Sequence, residues 1–196
     1  SLIPPRSALW LDSRGRRIGP QPLVTGFDTH DLCKRIGNLP GQYSWQVMNW
    51  RIAIKELAIS GSDTNPLFRD RKFVRVLYQA LTGNKELIRW LLDRCEDVVS
   101  GASLEELAAK MDALAGEPGI DLERMRHDIH AYDAMIGRRP ALHNDDQLQR
   151  LKQLRQWRGD RLRTCRLQKI LDRKALPLIA IRERLISRKS MGGMLT

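Results

Sequence analysis

The residues with the widest chemical range in this chain are its four histidines and three cysteines, and their spacing withholds most of that range. Cys33, Cys95 and Cys165 are far apart, odd in number and never in the C-x-x-C arrangement of zinc or dithiol sites, so they read as reduced thiols of a cytoplasmic protein. His30, His127, His130 and His143 have no partners at metal-ligand spacing. His127 and His130, three residues apart beside Asp128, fall on one solvated helix face. No metal is assigned. The stronger candidates lie near the end, where the adjacent cations Arg188 and Lys189 precede Gly192-Gly193. A Gly-Gly pair permits positive φ and close approach of main chain to a flat ring, and serves equally as a plain turn. Tyr43, in a cluster with Trp45 and Trp50, is a third candidate. These aromatics either line a pocket or, the favoured reading, pack a core or hinge, and the Tyr43 hydroxyl is a candidate proton relay.

Several elements must position these residues. Ala8 to Ile18 reads as a short strand, a polar turn closed by Gly15 and a second strand. A short helix follows, capped by Asp28 or Thr29 and holding Leu32, Arg35 and Ile36. After Pro40-Gly41, apolar residues at Val47, Trp50, Ile54, Leu57 and Ala58 repeat at helical spacing and predict one buried amphipathic helix over Trp45 to Ser60. Two more helices are expected at Phe73 to Leu81, with Phe73, Val76, Leu77 and Ala80 on one face, and at Lys85 to Asp93, with Leu87, Trp90 and Leu91 inward. Val98-Val99 suits a strand. Ser103 with Glu106 three residues on forms a capping box for a helix ending at Gly116, and Asp121 starts another that Gly137 stops.

The 196 residues are 42% hydrophobic, enough for a sizeable core. No stretch approaches the roughly 20 apolar residues that span a bilayer, and the N-terminus lacks a signal-peptide pattern, so neither export nor membrane insertion is indicated. The net charge of +11 is very uneven. Residues 148–196 hold fourteen Lys and Arg against Asp160, Asp172 and Glu183, while residues 1–147 hold twenty of each sign. Leu148, Leu151, Leu154 and Trp157 share one helix face with basic residues around them. Such a helix could track nucleic-acid phosphates, although no helix-turn-helix, zinc or single-strand-binding pattern accompanies it. It fits better as a surface facing another domain, an acidic subunit or an anionic substrate. A helical interaction module without chemistry is the third class. The Met-Gly-Gly-Met run so close to the last residue reads as an internal junction between ordered elements.

The order of several segments resembles a known family. The hairpin with Gly15-Arg16-Arg17, the segment Ala102 to Ala108, the helix ending Tyr132-Asp133, and Pro177 to Arg182 followed by Met191-Gly192-Gly193 occur as in the flavin-dependent fumarate reductase and 3-ketosteroid dehydrogenase superfamily. Phe27-Asp28-Thr29, Tyr43-Ser44-Trp45, Ser60-Gly61-Ser62, Asn65-Pro66, Gly159-Asp160-Arg161, Ile170-Leu171-Asp172 and Arg188-Lys189 are similar to its FAD-binding dehydrogenase branch. The resemblance implies an α+β fold, a helix-rich cap or substrate domain with short strands, plus edge strands belonging to an absent FAD-binding domain. Residues 1–20 would be a hairpin or crossing segment, 21–176 the cap, and 177–196 the return crossing. The cofactor implied is FAD, held mainly by the FAD-binding domain of the same parent chain, and the other partner is a small-molecule substrate.

By the same resemblance the parent reaction is hydride transfer between flavin N5 and a carbon beside a carbonyl or carboxylate. Arg188 and Lys189 would stabilise the charge that develops there, at about 3–4 kcal/mol per well-placed donor. The alternative is a solvated cation pair on a connecting strand. Gly192, Gly193 and Tyr43 would face substrate or flavin. Departures from the family are also legible. No G-x-G-x-x-G follows a strand, so tight FAD binding by this chain alone is not expected. Arg188-Lys189 stand where fumarate reductases carry histidines, and the proton-donating Arg has no counterpart around residues 27–31, which argues against strict fumarate reduction.

Overall fold

The computed structural model describes residues 2–3, 5, 7–18, 29–59, 70–116, 119–145, 147–149 and 168–184. Its centre is a four-stranded antiparallel sheet of β2 (Leu9–Leu11), β3 (Tyr43–Asn49), β6 (Leu178–Arg184) and β5 (Val98–Gly101), in that spatial order. A second, two-stranded sheet pairs β1 (Leu2–Ile3) with β4 (Ala58–Ile59). Around them lie α1 (Thr29–Gly37), α2 (Trp50–Glu56), α3 (Phe73–Thr82), α4 (Lys85–Arg94), α5 (Leu104–Ala115) and α6 (Leu122–Ile136). The class is α+β, with helices beside an antiparallel sheet.

The Trp45 to Ser60 expectation needs correction. The segment is not one helix: β3 runs to Asn49, α2 starts at Trp50, and β4 follows at Ala58. All of β3 after Tyr43 is buried on both faces, so the alternation that identifies a strand is missing and the apolar residues imitate a helical repeat. Asn49 makes the switch. Its side chain accepts from Ile52 N at 3.0 Å, capping α2, while its amide donates to Lys169 O at 2.7 Å. The cap therefore also ties the 168–171 segment to the strand end.

The first hairpin forms, but its second arm is only an isolated bridge between Leu11 and Arg17. Ile18 N still donates to Trp10 O at 2.9 Å. The long partner of β2 is β3. Arg17 fastens the turn to α6: its guanidinium meets Asp145 at 2.6 Å and lies 5.1 Å from the Tyr132 ring centre, and its N–H donates to Asp128. From the same helix, Asp133 accepts from Ile170 N and Leu171 N at 2.7 and 2.8 Å. Burial pushes the Asp133 carboxyl up despite those bonds.

The caps expected at Ser103 and Asp121 are present, whereas Asp28 lies outside the described residues and Thr29 is the first residue inside α1. Ser103 accepts from Glu106 N at 3.2 Å, and the Glu106 carboxylate reaches back to Ala102 N at 2.8 Å. Asp121 caps α6 through Arg124 N. One inward assignment fails, because Trp90 on α4 is exposed while Ile88 and Leu91 take that helix into the core. The strand after Pro177 is also no edge. β6 is hydrogen-bonded on both sides, to β3 and β5, and Leu178 to Ile181 are buried in it.

Candidate functional site

The sheet brings chemistry together at the end where β3 begins and β6 finishes. In register, Tyr43 is opposite Arg184, Ser44 opposite Glu183 and Trp45 opposite Arg182. Side chains alternate across a pleated sheet, so Tyr43, Trp45, Arg182 and Arg184 share one face, and Ser44, Gln46 and Glu183 share the other.

On the first face Asp97, just before β5, organises the two arginines. Its Oδ1 accepts from Arg182 Nε at 2.7 Å and its Oδ2 from Arg184 Nη2 at 2.8 Å. Arg182 also donates to Leu114 O at 2.7 Å, placing a cation at the C-terminal end of α5. Burial alone would raise the Asp97 carboxyl, but the hydrogen bonds from Arg184 and Arg182 outweigh it and hold the group below its ordinary value. Below this cluster Trp45 is fully buried, with the Tyr43 ring edge-on at 5.7 Å. Gly41 permits that placement: its φ is 72°, and a Cβ there would sit 2.6 Å from the Tyr43 ring.

On the second face Glu183 is half-buried beside fully buried Ser44 and Gln46. Trp10 Nε1 donates to Ser44 Oγ at 2.7 Å, closing the face from the β2 side. Burial pushes the Glu183 carboxyl up to about 7, and a Gln46 hydrogen bond offsets part of the effect. A carboxyl near neutrality holds and releases a proton at comparable population, which suits general acid–base work.

Of the candidates named from sequence, Tyr43 is described and lies directly across from Arg184. Arg188, Lys189, Gly192 and Gly193 lie outside the described residues, as do residues 150–167 of the basic stretch. His127 and His130 are exposed, and buried His143 faces Arg138 O at 3.1 Å. Among the described residues no cluster of His, Cys, Asp or Glu could hold a metal, Cys33 and Cys95 are free thiols, and no helix is long and apolar enough to cross a membrane. Sequence reading missed Asp97 and Glu183. The signal for Glu183 was an acid flanked by arginines on an expected strand, which must point away from both; nothing local marked Asp97.

The described residues do not fit a dinucleotide cradle. Among the described residues, the one glycine-bearing turn from a sheet strand into a helix, Gly101 to Ser103, leads to an N-terminus already satisfied by Ser103 and the Glu106 carboxylate. Negative charge at that position repels a pyrophosphate.

No protein-family model matches the sequence. A KsdD-like steroid dehydrogenase of Mycobacterium tuberculosis is 34% identical over 197 residues, covering 100% of this chain and 34% of that protein. Its namesake from Mycolicibacterium smegmatis is 32% identical over 196 residues, covering 100% and 35%. The chain thus spans about a third of the length of these relatives. A solution NMR structure of a fumarate reductase flavoprotein subunit from Lactobacillus plantarum is similar at a TM-score of 0.44 and 14% identity, over 92% of this chain and 84% of that one.

Proposed function

We infer that this chain, homologous along its whole length to about a third of the KsdD-like steroid dehydrogenases, is the cap region of an FAD-dependent dehydrogenase acting on CH–CH bonds. The whole-chain match at 34% identity carries the reading. In it, residues 21–176 are the cap, and the segments 1–20 and 177–196 are crossings that contribute β2 and β6 to the cap's sheet. FAD belongs to the rest of the longer cytoplasmic polypeptide, consistent with the lack of fit in the described residues, and the isolated chain is inactive. When bound there, the flavin supplies the hydride chemistry.

This chain's contribution is to cover a small-molecule substrate of the steroid class and to handle charge and protons. Tyr43 and Arg184 stand at the sheet end from which the chain continues toward Arg188 and Lys189. These cations stabilise an enolate-like oxygen, and Glu183 or the Tyr43 hydroxyl moves the proton. Gly192 and Gly193 let main chain approach the reacting ring.

The test is an anaerobic visible spectrum of the protein from the complete reading frame containing these residues. A flavin spectrum that bleaches on reduction and recovers with a steroid enone is the expected result. A colourless full-length protein would overturn the proposal.

A further inference from the structure

The body of the fold buries its apolar helix faces, and α3 does the opposite. Phe73, Val74, Leu77, Tyr78 and Leu81 recur at helical spacing, and each is 54–85% exposed. They form one stripe along more than two turns. Phe73, Val74 and Tyr78, with Arg71 and Lys72, line an open groove of about 580 Å³. The helix is nevertheless anchored: Asn84 N donates to Ile54 O at 2.6 Å, and Lys55 Nζ donates to Leu81 O at the helix end. The apolar face is thus held outward by contacts at the C-terminal end of α3.

Contiguous exposed stripes of large apolar side chains are rare on self-sufficient domains and mark contact surfaces. The relatives supply an occupant. About two-thirds of each relative's length has no counterpart in this chain, so a region built as one third of a longer polypeptide has to present a face to the remainder. We propose that the α3 stripe is where the remainder of the parent polypeptide docks, inserting a large apolar side chain into the groove beside Phe73 and Tyr78 and placing acidic groups against Arg71 and Lys72. The proposal rests on the chain's being part of a longer protein, as read above.

Two features favour a protein surface over a small molecule. The stripe extends past the groove to Leu77 and Leu81, and the groove is open along the helix. The basic rim of Arg71 and Lys72, with Lys72 only loosely paired to exposed Asp70 at 3.5 Å, suits charge-complementary protein contact, which sets orientation around an apolar centre.

The experiment places a photo-crosslinker at this face in the full-length protein, Tyr78→p-benzoylphenylalanine, with Leu142→p-benzoylphenylalanine as the control at another exposed apolar site. Crosslinked peptides are identified by mass spectrometry, using mixed isotope-labelled copies to separate contacts within a chain from contacts between chains. The expected product joins position 78 to a residue outside this 196-residue segment of the same chain, and adding Leu77→Asp lowers its yield more than about tenfold by burying an unpaired carboxylate. Leu77 is exposed, so the variant folds. Crosslinks confined to this segment, crosslinks between copies, no crosslink above the control, or a natural polypeptide no longer than this segment would each overturn the proposal. Flavin content is read separately, so a crosslink in a colourless protein separates failure of the flavin assignment from failure of the docking surface.

Discussion

The two faces of the sheet end at β3 and β6 are made by alternate residues of the same strand, yet their electrostatics are opposite. Arg182 and Arg184 point to a face where Asp97 accepts from both, and the carboxyl is held below its ordinary value. Glu183, between them in sequence, points to a face of Ser44, Gln46 and Trp10, where burial lifts it to about 7. Sequence neighbours are therefore poor guides to electrostatic environment in a strand, because the pleat separates them across the sheet. One face is an ion cluster whose outer member, Arg184, is exposed, and the other keeps a carboxyl whose charge is undecided at neutral pH.

The largest expected effect tests whether the first face is structural. Trp45 is fully buried beneath the arginine cluster, so Trp45→Ala should cost about 3–5 kcal/mol in urea denaturation. The same truncation at exposed Trp90 should stay within about 0.5 kcal/mol. A small loss at Trp45 would mean that this face is not the core it resembles.

The second effect has a pH signature. Glu183 is raised in the folded state, from an ordinary 4.5 to about 7, so its contribution to stability is fully present below 4.5 and is lost as pH rises toward 7. Stability measured across that window should fall by on the order of 2–3 kcal/mol more in the unmodified protein than in Glu183→Gln. Equal slopes in the two proteins would put Glu183 in water and end its candidacy as a proton carrier.

Asp97 should behave with the reverse sign. Its folded carboxyl is depressed, so its contribution is present above the ordinary value of 3.8 and is lost as pH falls below it. Asp97→Ala should cost about 1–2 kcal/mol at neutral pH and flatten the acid limb of the stability profile. An unchanged acid limb would show that the cluster contributes nothing to folding.

Among the residues of the two faces, the smallest stability effect is expected at Tyr43, which is half-buried and edge-on to Trp45. Tyr43→Phe keeps the ring contact, so stability should change by less than about 1 kcal/mol. Turnover of the full-length enzyme should fall at least about tenfold if the hydroxyl relays a proton. Unchanged turnover would assign Tyr43 to packing alone.

Several of these elements were legible before any fold was known. Thr29 to Gly37, Phe73 to Thr82, and the helices capped by Ser103 and Asp121 announced themselves because caps and glycine stops are local chemistry. Trp45 to Asn49 was misread because burial on both faces erases the period of two. Trp90 was placed inward because periodicity finds an apolar face without saying what covers it. The site was harder still. Tyr43 was visible as a residue, but its cross-strand partner Arg184 is far away in sequence, and Asp97 sits in an ordinary turn.

What the sequence determined by itself is the composition of a helix-rich α+β chain, its caps, its charge asymmetry and its similarity to a third of the KsdD-like steroid dehydrogenases, since these reside in residue type and short-range order. What only the tertiary structure decided is which residues meet. The antiparallel pairing of β3 with β6 sets Glu183 against Ser44 and Arg184 against Tyr43, and the closure of that long loop is fixed by the burial of both strands. Burial and distance then shift the carboxyls of Asp97 and Glu183 in opposite directions, because desolvation and charge pairing are properties of a place in the fold.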